Sequence, residues 1–346
     1  MLVQMQAEPI SRAGTEGSKI MVSMSLPEAG HLLQSPAWAA FKAKHGWKSQ
    51  TISTRMGTHS AYAQVLFRRV GPFSIGYVPR GPLMIDPDNA LVERFAQELD
   101  QAARKHRALW VLVEPNDRIP TLPGFVASRD HIQPTRTVRV PLATDDEMLA
   151  AMHKKTRYHV RLAARHGITI LAGGVQNVEA FYQLLQETSD RNGFCIHPIS
   201  YYRDALIALG ENAVLLCAEH EGNLVAVVIV AASKQEGIYL YGCSSTQHRG
   251  HGATSALQFA AMQWARERGC SHYDLWGIPE RDPEVTQTDD GKHQRGSYGE
   301  DMTGLYRFKT GFGGEIVQMP ATMEKVYHPW LARMVRQVIS LRRKQA

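Results

Sequence analysis

Two stretches of this 346-residue chain carry the same succession of strand, loop, helix and strand. In the first, an apolar strand ends near Tyr77, a helical pattern covers 89–106, and the strand "ALWVLVEP" ends at Pro115. In the second, "YLYG" is followed by a glycine-bearing loop, a helical pattern and the strand "HYDLWGIP". Both span 38 positions, from Tyr77 to Pro115 and from Tyr241 to Pro279, which indicates that one unit is used twice.

The repeat predicts two related α/β domains. Both helical segments place apolar residues three to four positions apart, as a helix packed on a sheet requires. A strand-helix-strand unit of this length normally forms a right-handed crossover within one sheet. A hairpin with strands at 213–219 and 224–232 precedes the second unit. The predicted fold is therefore two tandem α/β domains, each a mixed, twisted sheet flanked by helices.

The domain boundaries are placed from the same pattern. Residues 1–18 show no regular pattern and are expected to be disordered. The first domain is placed at 19–145 and the second at 146–320, because "VPLATDDEMLAAM" ends a strand and begins a helix. Residues 321–346 are predicted to form a basic C-terminal helix that packs back on the first domain.

Composition excludes several classes of protein. With 44% hydrophobic residues, each domain can form a core, so the chain is not a disordered one. The longest apolar run, at 224–233, is much shorter than the roughly 20 residues that span a bilayer. The N-terminus has no secretion-signal pattern, so a cytoplasmic location is expected. The four cysteines contain no C-x-x-C pair, and the net charge of +6 suits a polyanionic ligand without requiring one.

A loop at 245–256, "STQHRGHGATSA", carries the pattern Q-x-x-G-x-G in Gln247, Gly250 and Gly252. This pattern is typical of the pyrophosphate loop of acetyl-CoA-dependent N-acetyltransferases of the GNAT type. Backbone amides at the start of the following helix, and its dipole, would bind phosphate. An ordinary glycine-bearing turn is the alternative. In the first unit the equivalent loop, "PRGPLMIDPD", loses amides to prolines, so a donor site is expected only in the second domain.

A helix predicted after the domain boundary carries one continuous basic stripe. Its positive side chains cluster at its start or repeat every four residues: Lys154, Lys155, Arg157, Arg161 and Arg165. Like charges on one helix face repel each other, so a phosphate backbone is a suitable ligand. A solvated charged helix is the alternative.

The segment "GLYRFKTGFGGEIVQM", 304–319, places Lys309 between aromatic residues and a glycine cluster. Phe308 and Phe312 flank the lysine, and the glycines permit close backbone approach. A fixed ammonium in a partly dry site is suited to stabilising an oxyanion. An exposed lysine on a strand and turn is the alternative. No metal-binding, serine-nucleophile or nucleotide-binding motif occurs, and no metal site is expected.

The chain contains, in order, "QSPAWAAFKAKHGW", "YVPRGPLMID", "KTRYHVRLAARHGI", "YYRDAL", "YLYGCSS", "CSHYDLWGIP" and "GLYRFKTGFGGEIV". Together these motifs resemble the Fem family (FemABX-like) of non-ribosomal peptidyltransferases, from about Leu32 to Pro329. The resemblance implies two GNAT-like domains, which agrees with the repeat. It also implies aminoacyl-tRNA as donor, a peptidoglycan precursor as acceptor, and no cofactor beyond the tRNA co-substrate.

The resemblance implies roles for residues within these motifs. Lys309 and Phe308 match a pair that stabilises the donor's 3′ end and the tetrahedral intermediate. Glu114 matches an acidic residue of the substrate groove and is expected to orient the attacking amine. His197 stands where some members have a phosphate-binding arginine. The residues implied to bind the acceptor are Lys42 at its diphosphate, Tyr201 and Tyr241 in the peptide channel, Arg80 and His197.

The implied reaction is aminolysis, in which a stem-peptide amine attacks the ester carbonyl of aminoacyl-tRNA. Because an ester is already activated, positioning and oxyanion stabilisation supply most of the acceleration. Two alternatives stay open: an acetyl-CoA-dependent N-acetyltransferase, and a non-catalytic protein that binds tRNA or the precursor. The acceptor is either UDP-linked or lipid-linked, and the second form implies peripheral contact with the inner face of the membrane. No motif specifies the transferred amino acid or the oligomeric state.

Overall fold

The computed structural model describes residues 30–283 and 302–345, and the predicted tail at 1–18 lies outside these ranges. In chain order the strands are β1 (Trp47–Met56), β2 (His59–Val70), β3 (Phe73–Pro79), β4 (Leu83–Ile85), β5 (Ala108–Glu114), β6 (Val126–Ala127), β7 (Arg136–Pro141), β8 (Thr169–Gly173), β9 (Ala213–His220), β10 (Asn223–Ser233), β11 (Glu236–Ser244), β12 (His272–Gly277), β13 (Glu315–Gln318) and β14 (Met323–Val326). The α-helices are α1 (Pro36–Lys44), α2 (Asn89–Lys105), α3 (Asp145–Ala151), α4 (Lys154–Arg165), α5 (Val178–Asn192), α6 (Ile199–Leu209), α7 (Ala253–Glu267), α8 (Met302–Thr310) and α9 (Pro329–Gln345).

Across the described ranges the strands form two seven-stranded mixed sheets. The first has the order β1-β2-β3-β5-β14-β6, with β4 paired to β2, and the second has the order β13-β7-β12-β11-β10-β9-β8. The repeated unit supplies a parallel pair to each sheet, β3 with β5 and β11 with β12. Neighbouring hairpins such as β1-β2 and β9-β10 are antiparallel. The predicted fold class, two mixed sheets flanked by helices, is confirmed.

Each sheet contains a strand from the other half of the chain. β7, which the sequence places in the first domain, lies between β12 and β13 of the second sheet. β14, from the segment predicted as a C-terminal helix, lies between β5 and β6 of the first sheet. The predicted boundaries at 145 and 320 therefore do not separate the two sheets. Alternation along a strand reports which face is buried, but it does not identify the partner strand.

The two halves share a hydrophobic core. One face of the first sheet packs on α2, and one face of the second packs on α3, α4 and α7. The remaining faces meet in a common core with α1, α5, α6 and α9. Phe41, Leu109, Phe181 and Leu215, which come from both halves, are fully buried there. Because each such side chain contributes about 1.5–3 kcal/mol on burial, the halves stabilise each other.

The two helices of the repeated unit begin differently. α2 begins after Asp88, whose carboxylate accepts the N–H of Leu91 at 2.7 Å. α7 begins after Gly252, which has a φ of +78° and follows a 3₁₀ turn. A side chain at Gly252 would collide with the backbone carbonyl of His159 on α4. Glycine at this position therefore allows α4 to pack closely against the start of α7. No helix in the described part of the chain has the length and apolar character needed to cross a membrane.

Candidate active site

The second sheet opens between the two strands of its repeated unit. β11 and β12 pair only at their first residues, from Glu236 with His272 to Ile238 with Asp274. Both strands continue beyond these pairs, to Ser244 and Gly277, without pairing to each other in the described ladder. The strands therefore diverge and leave a gap in the sheet, where side chains from other elements can enter.

Lys309 bridges this gap. It lies near the end of α8 and is 6% exposed. Its Nζ donates to the backbone carbonyl of Gly277 on β12 at 2.7 Å and lies 5.6 Å from the centre of the Tyr239 ring on β11. The predicted setting, a lysine among aromatic residues and glycines, agrees with this geometry, although the lysine lies on a helix and not on a strand. A buried ammonium thus stands between the two strands at the point where they stop pairing.

The glycines after Lys309 allow α8 to approach the second domain closely. A side chain at Gly311 would meet the hydroxyl of Thr156 on α4, and one at Gly313 would meet the carbonyl of Ala151 on α3. Gly313 also has a φ of +83°, which favours glycine. The glycine cluster therefore holds the end of α8, and with it Lys309, against α3 and α4.

Two adjoining cavities lie on the α7 side of the gap. The larger, about 720 Å³, is bounded by the second half of β11, the start of α7, α8 and Arg191 of α5. The smaller, about 570 Å³, lies between α4 and α8 and is lined by Lys155 and Arg307. Phe308 lines both cavities, as does His159. Together they form a space at the gap with basic side chains on its wall.

The predicted phosphate loop lies at the rim of the larger cavity. Ser245, His248 and Ala253 line the cavity, whereas Gln247, Gly250 and Gly252 are not among its lining residues. Gln247 and Gly250 are exposed, and Gly252 is explained by packing against α4. The α7 N-terminus nevertheless faces the cavity, and the first N–H groups of a helix have no partner within the helix. The loop thus positions a helix start, and the pattern residues themselves do not form the wall.

The predicted basic stripe on α4 is divided between different roles. Arg157 donates to the backbone carbonyls at the end of α3, at 3.0 Å from Ala150 and 3.1 Å from Leu149, so it is committed to holding that helix. This differs from its predicted role in phosphate binding. The other four residues are exposed on α4: Lys154, Lys155, Arg161 and Arg165.

On the opposite face of the sheet, α1 and α6 form an aromatic cluster with a basic rim. Lys42 Nζ donates to the hydroxyl of Tyr201 at 3.2 Å. The ring of His197 stacks on Tyr201, with 3.9 Å between the ring centres. Burial, and then the charge of Arg68, lower the pKa of Lys42 to about 8. Burial and then Lys42 also lower the pKa of His197.

Tyr241 joins the same cluster from β11. Its ring lies 6.4 Å from that of Tyr201 and 5.0 Å from that of Tyr202. Burial raises the pKa of Tyr201 and of Tyr241, so both hydroxyls are neutral near pH 7. The structure therefore brings together four predicted acceptor-binding residues from α1, the segment before α6, α6 and β11: Lys42, His197, Tyr201 and Tyr241.

A β-bulge turns two neighbouring tyrosines to opposite faces. Ile229 pairs with Tyr241 and Val230 with Tyr239, so Leu240 is the extra residue of β11. Tyr239 consequently packs with the core beside α7, and Tyr241 packs in the shared core. Without the bulge, residues two apart would lie on the same face. The aromatic cluster and the cavities thus lie on different faces, and Lys309 lies at the gap between them.

Glu114 does not face this gap as a free carboxylate. It is 3% exposed at the end of β5 and accepts from the Tyr77 hydroxyl and from the backbone N–H groups of Ile132 and Gln133. Both carboxylate oxygens are engaged. These contacts give Glu114 a structural role, the fixing of the chain at 132–133, and its role in orienting an amine stays a prediction.

Arg80 is also buried, and its guanidinium contacts other residues of the chain. Its guanidinium donates to the Pro134 carbonyl at 2.9 Å and lies 5.5 Å from the Trp276 ring centre. A side chain at Gly277 would collide with Pro134, so the segment 132–134 packs closely against Gly277. Glu114 and Arg80 hold this segment, and the carbonyl of Gly277 accepts from Lys309. Glu114 and Arg80 thus act on the gap through the backbone.

Comparison with known proteins identifies the family to which this chain belongs. A sequence model of the FemAB family matches residues 24–132, 122–223 and 218–339, which together cover nearly the whole chain. The chain belongs to the FemAB family. This confirms the family resemblance seen in the motifs, and it assigns the chain to the transferases through the relatives named below.

Curated relatives of this FemAB protein include lipid II:glycine glycyltransferases of two staphylococci. That of Staphylococcus saprophyticus is 26% identical over 340 residues, covering 73% of this chain and 82% of the relative. That of Staphylococcus aureus USA300 is 23% identical over 397 residues, covering 89% and 91%. Because 397 aligned positions exceed the 346 residues of this chain, the S. aureus protein has inserted segments that this FemAB protein lacks.

Solved structures agree on the fold. The crystal structure of FemX matches with a TM-score of 0.76 at 21% identity, covering 88% of this chain and 94% of FemX. The structure of L-PGS from Bacillus licheniformis matches with a TM-score of 0.51 at 15% identity, covering 85% and 88%. At these identities the matches establish a shared fold.

One residue beside the gap between β11 and β12 was not predicted from the sequence. Asp274, in "CSHYDLWGIP", is 2% exposed and accepts from the Trp276 N–H at 2.6 Å and from the Thr137 hydroxyl. Burial, and then Glu236, raise its pKa. Asp274 thereby holds Trp276 at a φ of +65°, next to Gly277, whose carbonyl accepts from Lys309. An acidic residue between the large side chains of Tyr273 and Leu275 was the available signal.

A second missed feature is a group of histidines beside the phosphate loop. One ring nitrogen from each of His220, His248 and His251 lies within 4.8 Å of the others. His220 ends β9, whereas the other two precede α7, so the spacing in the sequence does not reveal the group. No sequence motif indicated this group, and the expectation of no metal site stays a prediction.

Proposed function

We propose that this protein transfers an aminoacyl group from aminoacyl-tRNA to the stem-peptide amine of a peptidoglycan precursor, by ester aminolysis. The observation that carries the proposal is Lys309, a buried ammonium held where β11 and β12 stop pairing, in a sheet whose two faces are lined differently. The family and the named activity of the staphylococcal relatives support the choice of reaction.

The acceptor is assigned to the face that carries the aromatic cluster. A precursor contains a diphosphate, which suits the positive charges of half-buried Lys42 and exposed Arg68, with the neutral His197 ring beside Lys42 as a further hydrogen-bonding group. Tyr201 and Tyr241 offer neutral hydroxyls and ring faces to a peptide. From this face the peptide amine would reach the gap beside Lys309.

The donor is assigned to the cavities beside α7. The helix N-terminus favours a phosphate, and Arg191, Lys155 and Arg307 line the cavity walls. Phe308 lines both cavities and offers a ring face to the terminal base of a tRNA. Exposed Arg161 and Arg165 on α4 extend the basic surface outward for the rest of the acceptor stem.

In the proposed reaction the neutral amine attacks the ester carbonyl, and the carbonyl oxygen becomes negatively charged in the tetrahedral intermediate. Lys309 stabilises this oxyanion, and collapse of the intermediate expels the ribose hydroxyl of the tRNA, which takes up the proton lost by the amine. Oxyanion stabilisation of this type is worth about 10²–10³ in rate. Holding amine and ester together supplies a further large part of the acceleration.

A lipid-linked acceptor is favoured by α9. On this helix Trp330, Met334 and Val338 are spaced four residues apart and are 71%, 48% and 50% exposed, forming an apolar stripe with Arg333 beside it. Such a stripe with basic neighbours suits the surface of an anionic bilayer. The acceptor of the staphylococcal relatives is named as lipid II.

The substitution Lys309→Met tests the proposal. With charged tRNAs and lipid-linked precursor, turnover should fall by about 10²–10³, whereas precursor affinity should stay within about twofold. Lys105→Met, an exposed lysine on α2, is the matched control and should behave as wild type. Undiminished turnover in Lys309→Met would remove the role of this lysine.

The donor is tested separately, because the loop before α7 also favours acetyl-CoA as a candidate. Wild-type protein is incubated with the same acceptor and either labelled acetyl-CoA or a panel of charged tRNAs. Product only from charged tRNA is expected. Product only from acetyl-CoA would replace the proposal with an N-acetyltransferase, and binding without product from any donor would indicate a non-catalytic protein.

A further inference from the structure

The histidine cluster beside the phosphate loop is not used by the proposed transfer reaction. His220 is the last residue of β9, and His248 and His251 lie in the loop that leads into α7. The ring centres are 4.8 Å apart for His220 and His251, 5.3 Å for His248 and His251, and 5.4 Å for His220 and His248. Three imidazoles from two separate parts of the chain therefore converge on one point.

The Nδ1 atoms of this cluster lack the partners that buried polar atoms normally have. The Nδ1 atoms of His220, His248 and His251 are buried and find no hydrogen-bond partner within the described ranges of the chain. A buried nitrogen without a partner costs about 1–3 kcal/mol. Three such atoms in one place are unusual, since most buried polar atoms are hydrogen-bonded. A ligand that accepts lone pairs from imidazole would remove this cost.

We propose that His220, His248 and His251 bind one late first-row divalent metal ion, with Zn²⁺ as the ion that fits best. Imidazole is a preferred ligand of Zn²⁺, and three protein ligands with a fourth open position form a common zinc geometry. Zn–N bonds of 2.0–2.1 Å require ligand nitrogens about 3.4 Å apart. The ligand nitrogens now lie within 4.8 Å of one another, so small side-chain rotations are enough to bring them to the spacing that zinc requires.

The fourth position is open to water or to a further histidine. His166, which follows α4, stacks on His251 with 4.8 Å between ring centres and an interplanar angle of 11°. Rotation of its side chain would make His166 a fourth ligand. Without rotation, His166 supports the orientation of His251, since residues that contact metal ligands commonly fix the orientation of those ligands. Since the metal binds neutral imidazoles, affinity falls on acidification.

The ion would connect the phosphate loop to the sheet. His248 also lines the larger cavity, and the 3₁₀ turn that contains His251 leads directly into α7. A metal bound to both residues and to the end of β9 would hold the loop in one conformation at the rim of the donor cavity. This role goes beyond the proposed reaction, because it concerns the order of the loop and not the chemistry at Lys309.

The test uses the tag-free full chain, first treated with a chelator and then titrated with Co²⁺, whose visible absorption reports coordination. The wild type is expected to take up one equivalent with the spectrum of a tetrahedral or five-coordinate site, and Zn²⁺ should displace it. His248→Ala and His251→Ala are expected to weaken binding by about tenfold or more. His131→Ala, an exposed histidine elsewhere on the chain, is the matched control and should bind as wild type.

Two results would overturn the proposal. They are a wild-type chain that binds no Co²⁺ or Zn²⁺, and a His248→Ala/His251→Ala double variant that keeps the one-equivalent site. Circular dichroism verifies that the variants are folded. A second measurement needs no variant: hydrogen exchange of the amides at 247–252 should slow when Zn²⁺ is added to chelator-treated wild type, and unchanged exchange counts against the site. Neither measurement requires tRNA or precursor, so the outcome is independent of the proposed transfer activity.

Discussion

The two copies of the repeated unit, β3-α2-β5 and β11-α7-β12, have the same order of elements but differ at their ends. In the first, the parallel strands stay paired up to Pro79 and Glu114. In the second, pairing stops at Ile238 and Asp274, and the strands diverge. The closed copy buries a carboxylate at its end, whereas the open copy admits Lys309 and borders the two cavities.

The two copies of the unit have different roles in the protein. The closed copy completes its hydrogen bonds and stabilises the neighbouring chain at 132–133 through Glu114. The open copy lacks strand pairing beyond Ile238 and Asp274, and a bulge at Leu240 and the contact of Asp274 with Trp276 lie beside the point of divergence. Local departures from regular pairing are often found beside functional sites, because they change the direction of side chains. The first unit thus supports the second.

After Lys309→Met, the largest effect is expected where the helices of the two units begin. Gly252→Ala should lower the free energy of unfolding by about 2–4 kcal/mol, since the residue has a φ of +78° and its side chain would meet the carbonyl of His159. Asp88→Ala, at the start of α2, should cost only about 1 kcal/mol through loss of its cap. Urea unfolding followed by circular dichroism measures both. If Gly252→Ala were stable but bound donor poorly, the glycine would serve phosphate binding instead.

A smaller effect is expected at the closed end of the first unit. Glu114→Gln should lower the free energy of unfolding by about 1–3 kcal/mol, because an amide cannot accept at both of its polar atoms from the donors around Glu114. Turnover of the folded variant should stay near that of wild type. Glu93→Gln, on the exposed side of α2, is the control for the same change. Lost turnover at unchanged stability would return Glu114 to the direct role predicted from the sequence.

The pH dependence of precursor binding distinguishes the acceptor face of the second sheet from its donor face. Because the pKa of Lys42 is lowered to about 8, this residue loses its positive charge as the pH rises through 8. Affinity for the precursor diphosphate should therefore fall about tenfold between pH 7 and pH 9, and the decline should disappear in Lys42→Ala. His197 has a lowered pKa and is already neutral over this range. Calorimetric titration at both pH values measures the change, and a flat profile for wild type would exclude a diphosphate contact by Lys42.

The smallest effects separate two arginines of α4. Arg157→Ala should cost about 1 kcal/mol of stability through lost bonds to the end of α3, with little change in tRNA affinity at matched folding. Arg161→Ala should leave stability within about 0.5 kcal/mol and reduce the salt dependence of tRNA binding by about one phosphate contact. Filter binding over a range of salt concentrations tests the second variant. Equal salt slopes for Arg161→Ala and wild type would place tRNA elsewhere.

Much of the fold was predictable because its signals are local. The repeat, the apolar faces of α2 and α7 and the mixed α/β class follow from periodicity within a few turns or residues. Lys309 was proposed as a site residue because its aromatic and glycine neighbours adjoin it in the chain, and Lys42, Tyr201 and Tyr241 were proposed through a family resemblance; their roles stay predictions. The contacts of Glu114 could not be predicted, because nothing near it in the sequence reveals that the amides at 132–133 donate to its carboxylate.

The sequence by itself determined that one unit is used twice, which faces its helices bury, and to which family the chain belongs. Only the tertiary structure decided that β7 and β14 exchange sheets, that β11 and β12 diverge, and that three histidines meet at the start of α7. The reason is physical: burial periodicity is fixed by the geometry of each element, whereas strand partners and side-chain clusters depend on contacts between residues far apart in the chain.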